Sequence, residues 1–241
     1  AEGFASENPG MMHACGHDGH AAIGLGIAQI LMAHREELHG TLKFVFQPAE
    51  EGPPPGGAKL VVDSGVLDDV DYMFGAHSQP LYRAGEVGVK YGDAFASGDF
   101  FEVKIRGLGC HAASPHKGKD VICTALQVIE AIQHIRSREL PPLKTAVISV
   151  CSINAGNLAT KNVLPNEITF GGTFRAYDDE VRDYIAKRIE QVVKEICQLN
   201  GCEYEYQDTF AFPSFSNDPD VIDTIYRSAV EVLGEDKVIK K

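Results

Sequence analysis

Eight consecutive residues, His13-Ala14-Cys15-Gly16-His17-Asp18-Gly19-His20, hold three histidines, one cysteine and one aspartate. Cys15 and His17 stand two apart, so in extended chain their side chains leave the backbone on the same side. A thiolate beside an imidazole is half of a site for a borderline-soft divalent metal. A helix starting just after the pair would favour the thiolate through its positive N-terminal dipole. The competing reading is a buried cysteine among ordinary loop histidines, and the density of donors in eight residues argues against it. His13 and His20 are expected to shape the loop rather than bind metal.

Two further stretches carry metal-competent side chains. Gln47-Pro48-Ala49-Glu50-Glu51-Gly52 ends an apolar alternation with adjacent carboxylates. A solvated turn is the usual fate of such a pair. One carboxylate can ligate and the other stay free as a base, provided the chain turns after Pro48 so that both point inward. His77, in Gly75-Ala76-His77-Ser78-Gln79-Pro80, follows the next apolar run. In an open α/β sheet, ligands bind beyond the carboxyl ends of the strands. Three successive connections each bring a donor residue to that edge.

The elements needed to hold them there are legible as periodicities. Ile23, Ile27, Ile30 and Leu31 fall at helical spacing and predict a helix over Ala21 to His34. Leu42, Phe44 and Phe46 alternate on an expected strand that Pro48 ends, and Val70 to His77 reads as another. A short helix is expected near Ala58 to Asp63. This rhythm predicts an α/β metal-binding domain with a largely parallel sheet, formed by residues 1–93 and 211–241. Between 94 and 210 the rhythm changes. Strands at Asp99 to Arg106, Thr145 to Ile153, Glu167 to Arg175 and Cys202 to Gln207 frame helices at Val121 to Ile135 and Val181 to Leu199. That order, β-α-β-β-α-β, is the signature of an inserted α+β ferredoxin-like domain. Asp218 to Leu233 adds a tail helix.

Composition sets the outer limits. The 241 residues are 44% hydrophobic and 23% charged, the balance of a globular chain. Lys+Arg 22 against Asp+Glu 34 gives −12, which repels phosphate backbones and argues against a nucleic-acid binder. No apolar run approaches the ~20 residues of a membrane span, and the N-terminus has no signal-peptide pattern. The six cysteines are scattered, as expected for a reducing, cytoplasmic setting.

The spaced set MHACGHDGH, FQPAEEG, GAHSQP, CHAASPH, AGNLATKNVLPN and GTFR resembles the M20 metallopeptidase clan. More narrowly, it resembles the amidohydrolase subfamily of hippurate hydrolase, auxin-conjugate hydrolases and N-acetyldiaminopimelate deacetylase. The resemblance implies two divalent metal ions (Zn, Mn, Co or Ni), with Cys15 bridging them and His17, Glu51 and His77 as further ligands. It implies Glu50 as general base and His111 as an oxyanion-stabilising residue that reaches a neighbouring subunit. It implies that Asn162 and Arg175 hold the substrate's carbonyl and carboxylate, and that the inserted domain is a lid through which the protein forms a homodimer. His116 stands open between a substrate contact and a structural role. The expected activity is metal-dependent cleavage of N-acyl amino acids, with no nucleic-acid or membrane partner. The alternatives are a non-catalytic fragment or dimerisation module of such an enzyme, and a single structural metal in a binding domain. The family has further strands ahead of the first motif and a last histidine ligand downstream, whereas this sequence has no histidine beyond His134. The chain is therefore expected to be part of a longer enzyme and not a competent hydrolase as it stands.

Overall fold

A computed structural model describes residues 5–53 and 56–241. In chain order the elements are α1 (His17–Ala33), α2 (Gly56–Asp63), β1 (Val87–Val89), β2 (Gly92–Phe95), β3 (Gly98–Arg106), α3 (Val121–His134), β4 (Ala146–Ala155), β5 (Glu167–Ala176), α4 (Asp179–Leu199), β6 (Glu203–Phe212), β7 (Phe215–Asn217), α5 (Pro219–Leu233) and β8 (Val238–Lys240). They fall into two compact units. One comprises residues 5–52, Gly56–Val89 and Thr224–Lys241, and the other is built on Lys90–Asp223. None of the helices is long and apolar enough to cross a membrane, among the described residues.

The second unit is a four-stranded antiparallel sheet in the order β4-β5-β3-β6. Alternation along β3 sends Phe101, Val103 and Ile105 into the core and Phe100, Glu102 and Arg106 to solvent. In register, Val103 lies opposite Phe170 and Ile105 opposite Ile168. The inward side chains meet Val121, Ala125, Val128 and Ile132 of α3 and Val181, Ile185, Ile189 and Val193 of α4. Each such side chain, fully buried, contributes about 1.5–3 kcal/mol of transfer free energy. Asp120 caps α3 by accepting from the amides of Ile122 and Cys123, and Asp178 caps α4 by accepting from those of Glu180 and Val181. Helix α4 ends at Gly201, φ 64°, where the Cys202 amide donates back to the Cys197 carbonyl at 2.8 Å.

One charged pair sits inside this unit. Asp99 is 1% exposed, and its carboxylate accepts from Arg182 Nε at 2.9 Å and from Ser97 Oγ at 2.9 Å. The Arg182 guanidinium also lies over the Phe210 ring, 4.1 Å from its centroid. Ser97 is tied to β5 in turn, its amide donating to the Ala176 carbonyl at 2.7 Å.

The first unit departs from the sequence reading in three places. Helix α1 begins at His17, not Ala21, so the second half of the octapeptide is helical. The expected strands at Leu42 to Phe46 and Val70 to His77 carry no regular secondary structure. Strand assignment needs a ladder partner for the backbone amides and carbonyls, and neither stretch meets one among the described residues. The expected parallel sheet is accordingly absent there, and the parallel pair the unit holds is β1 with β8. The stretch around Phe46 lies beside α1 instead, with the Phe46 ring 3.1 Å from where a Cβ at Gly24 would sit. Helix α1 has no buried residue, and Ile23, Leu25 and Ile30 are more than half exposed. The large apolar core belongs to the other unit.

Removing the buried carboxylate tests where stability resides. Asp99→Ala leaves a largely desolvated guanidinium without its counter-charge. It should lower unfolding stability by about 3–5 kcal/mol, read from the denaturant midpoint of the β-sheet signal. A loss under about 1 kcal/mol would mean that the pair behaves as a surface ion pair.

Candidate metal centre

Gly16 starts the site. It caps α1 with φ 78°, a left-handed conformation that glycine adopts without steric cost. That turn, not an extended strand, brings Cys15 and His17 to one side. His17 is the first residue of the helix and His20 lies one turn on, so the two rings share a face with centroids 5.5 Å apart.

The glutamates arrive through a second left-handed turn. Ala49, with φ 50°, turns the chain directly after Pro48, as the inward orientation of both carboxylates requires. Its carbonyl accepts from Gly52 at 3.1 Å and Gly57 at 3.3 Å. Gly57, buried at the start of α2, presses so closely on the Pro48 carbonyl that a Cβ there would collide with it.

His77 completes the cluster. Its Nε2 lies 3.3 Å from Cys15 Sγ, and its Nδ1 is 2.7 Å from the Ser78 carbonyl oxygen. Ligand atoms of Cys15, His17 and His77 lie within 4.8 Å of one another, and so do those of His17, Glu50 and Glu51. His17 Nε2 is 3.3 Å from Glu50 and 3.9 Å from Glu51. The two triads share His17. All five residues singled out in the first unit therefore converge.

Electrostatics favour a cation here. The Cys15 thiol is pushed above its ordinary value, first by its hydrogen bond to the Glu51 carboxylate, then by desolvation and by the charges of Glu51 and Glu50. The expectation of a thiolate favoured by the helix end is corrected: two carboxylates outweigh the half-charge of a helix terminus. A bound divalent ion inverts that balance. Among the described residues, His17 is the ion-pair partner of both glutamates, and no lysine or arginine neutralises them. Thiol, imidazole and carboxylate together form a donor set that suits zinc, cobalt or nickel. His20 is pushed below its ordinary value by desolvation and by the neighbouring His77 and His17. It accepts from the Ser78 amide at 2.8 Å. Ser78 had no signal in the sequence, being neither a ligand type nor part of a periodicity.

The other candidates lie in the second unit. The stretch around His111 pairs with that around Val163, and the Ala112 amide donates to the Asn162 carbonyl at 2.9 Å. His111 Nδ1 accepts from the Ala113 amide at 3.1 Å, so in the neutral ring Nε2 carries the proton and is a donor. Arg175, near the end of β5, donates from Nη1 to the Ser97 carbonyl at 3.3 Å and lies 5.4 Å from the Phe212 ring centroid. Gly98 leaves the space for both, since a Cβ there would meet the ring and the guanidinium. His116 sits in a short 3-10 turn, Pro115–Lys117.

The family model for Peptidase family M20/M25/M40 matches residues 1–241. The N-acyl-L-amino acid amidohydrolase of Geobacillus stearothermophilus is 42% identical over 209 residues, which cover 87% of this chain and 56% of that protein. IAA-amino acid hydrolase ILR1-like 4 of Arabidopsis thaliana is 42% identical over 217 residues, covering 88% of this chain and 48% of that protein. Among solved structures, the Bacillus subtilis YXEP protein, described as a dinuclear metal binding peptidase, superposes with a TM-score of 0.75 at 34% identity. It covers 95% of this chain and 58% of that one. The chain spans about half the length of these curated relatives.

Gly57 gives a test in which the sign decides. Alanine inside a helix is normally favoured over glycine by about 1 kcal/mol, but here the added Cβ must displace the Pro48 turn. Gly57→Ala should weaken zinc or cobalt binding by about tenfold or more, equivalent to ~1.4 kcal/mol. The denaturation of the second unit should not change. Unaltered metal affinity would show that the turn does not position the glutamates.

Proposed function

This chain belongs to peptidase family M20/M25/M40, and we propose that it carries the metal site and substrate-binding residues of a metal-dependent amidohydrolase acting on N-acyl amino acids. The observation that carries the reading is the convergence of Cys15, His17, Glu50, Glu51 and His77 into two triads sharing one imidazole. The names of the relatives support the substrate class: one is an N-acyl-L-amino acid amidohydrolase, another an IAA-amino acid hydrolase. Cys15, His17, Glu51 and His77 would hold two divalent ions of the zinc, manganese, cobalt or nickel class. When bound, these ions supply Lewis acidity toward the amide carbonyl and toward water.

The chain's own residues do the rest. Glu50 takes a proton from the attacking water and returns it to the departing amine nitrogen. His111 donates from Nε2 to the oxygen on which negative charge develops, from the neighbouring subunit of a homodimer. Asn162 holds the acyl carbonyl. Arg175, oriented by the Ser97 carbonyl and the Phe212 ring, holds the free carboxylate of the amino acid with its guanidinium fork. Residues 94–210 form a ferredoxin-like lid and dimerisation domain, and residues 1–93 with 211–241 form the metal domain. The enzyme works in the cytoplasm.

The experiment is turnover of N-acetyl- and N-benzoyl-amino acids with added Mn²⁺ or Zn²⁺, using the polypeptide as its gene encodes it. Glu50→Gln should keep its metal content and lose turnover by ~10²–10⁴-fold. Loss of metal instead would make Glu50 a ligand and exchange the roles of the two glutamates. Arg175→Ala should raise KM by ~10–100-fold for substrates with a free carboxylate. It should leave the corresponding amides unaffected, and equal effects on both would remove Arg175 from carboxylate recognition.

A further inference from the structure

Every polar group of Ser78 is engaged by the metal-competent cluster. Its amide donates to His20 Nε2 at 2.8 Å, its hydroxyl donates to the Cys15 carbonyl at 3.3 Å, and its carbonyl lies 2.7 Å from His77 Nδ1. His77 itself sits in a stretch with no helix or strand, so no backbone ladder holds its ring beside Cys15. We propose that His20 and Ser78 are positioning residues. Together they clamp the His77 stretch onto the first turn of α1 and present His77 Nε2 and Cys15 Sγ to the cation, while neither of them ligates it. The proposal rests on reading the cluster as a metal centre.

Hydrogen-bond chemistry assigns the roles. A carbonyl can only accept, so His77 Nδ1 carries the proton and Nε2, facing Cys15 Sγ at 3.3 Å, is left bare. That is the nitrogen a cation needs, with its tautomer set by a backbone carbonyl as ligating histidines usually require. A backbone amide can only donate, so the Nε2 lone pair of His20 is committed to Ser78. In the neutral ring the other nitrogen then carries the proton, and His20 has no lone pair to offer an ion. His20 is nonetheless close, its ring 4.4 Å from that of His77 and at 65° to it. It acts as the anchor, on the same helical turn as the ligand His17. Gly16 makes the clamp possible, because a Cβ at that position would collide with Ser78 Oγ.

Groups that hydrogen-bond to a metal ligand and fix its orientation are worth ~10–100-fold in metal affinity. The test titrates the full chain with Zn²⁺ and Co²⁺ against a chromophoric chelator and records the ligand-field and thiolate charge-transfer bands of the cobalt form. His20→Ala should lower affinity by ~10–100-fold while the bands at saturation keep the wild-type pattern, because the donors are unchanged. His20→Gln, whose amide oxygen can accept from Ser78, should recover most of the loss. Cys15→Ala and His77→Ala should alter the bands themselves. Unchanged affinity in His20→Ala, or cobalt bands that lose an imidazole in it, would overturn the proposal. Long-range ¹⁵N correlations of the neutral rings in the wild-type chain give a readout independent of any variant's folding. Both His20 and His77 should be Nδ1–H tautomers, and an Nε2–H form of either removes the clamp. A wild-type chain that shows these tautomers but binds neither ion refutes the metal-centre reading, and with it any positioning role toward a metal. Metal binding by the wild type with no loss in His20→Ala refutes this proposal alone.

Discussion

The seating of residue 78 against residue 16 is the contact on which the site depends. Cys15 and His77 are 62 positions apart, and among the described residues neither lies within a sheet that would fix their separation. They meet because a glycine in left-handed conformation leaves room for the Ser78 side chain, whose hydroxyl donates to the Cys15 carbonyl while the Ser78 amide donates to His20. The same device recurs at the glutamate turn. Ala49 adopts a left-handed conformation at some cost, and Gly57 leaves the room for the Pro48 carbonyl. Close approach at a glycine does here what strand pairing does elsewhere in the molecule.

The two units solve the folding problem differently. The second buries a continuous apolar core between one sheet face and two capped helices, and it can include a desolvated Asp99–Arg182 pair because the surrounding hydrogen bonds satisfy both charges. The first carries the reactive side chains on turns and helix ends, with α1 largely solvated. Such segments lie toward the low-stability end of a fold.

Charge ties the site to its chemistry. The Glu51 and Glu50 carboxylates help to push the Cys15 thiol above its ordinary value, and the neighbouring imidazole of His17 is the ion-pair partner of both glutamates among the described residues. A divalent cation held there would offset the charge of the carboxylates. The guanidinium of Arg175, in contrast, is held in place within its own unit by a carbonyl and an aromatic face. The acidic cluster and the Arg175 guanidinium are thus each positioned by contacts within their own unit.

The sequence by itself showed which residues are of types that could carry chemistry and where most elements of the second unit run. Donor types crowded into eight residues are visible without coordinates, and so are period-2 and period-3.6 patterns when each element buries its apolar face in a core made by its sequence neighbours. The strand at Gly98–Arg106 and the helix at Val121–His134 were legible for that reason. Tertiary structure alone decided the rest. Leu42 to Phe46 alternates like a strand, yet alternation reports a preference for a pleated surface and not the presence of a partner. The start of α1 at His17 was hidden because glycines and histidines have weak helix propensity. Ser78 was invisible because its role is carried by its amide, carbonyl and hydroxyl meeting groups up to 63 residues away. Side-chain type and spacing encode which atoms can react, but the backbone bonds that hold them in place arise only when distant stretches of chain are brought together.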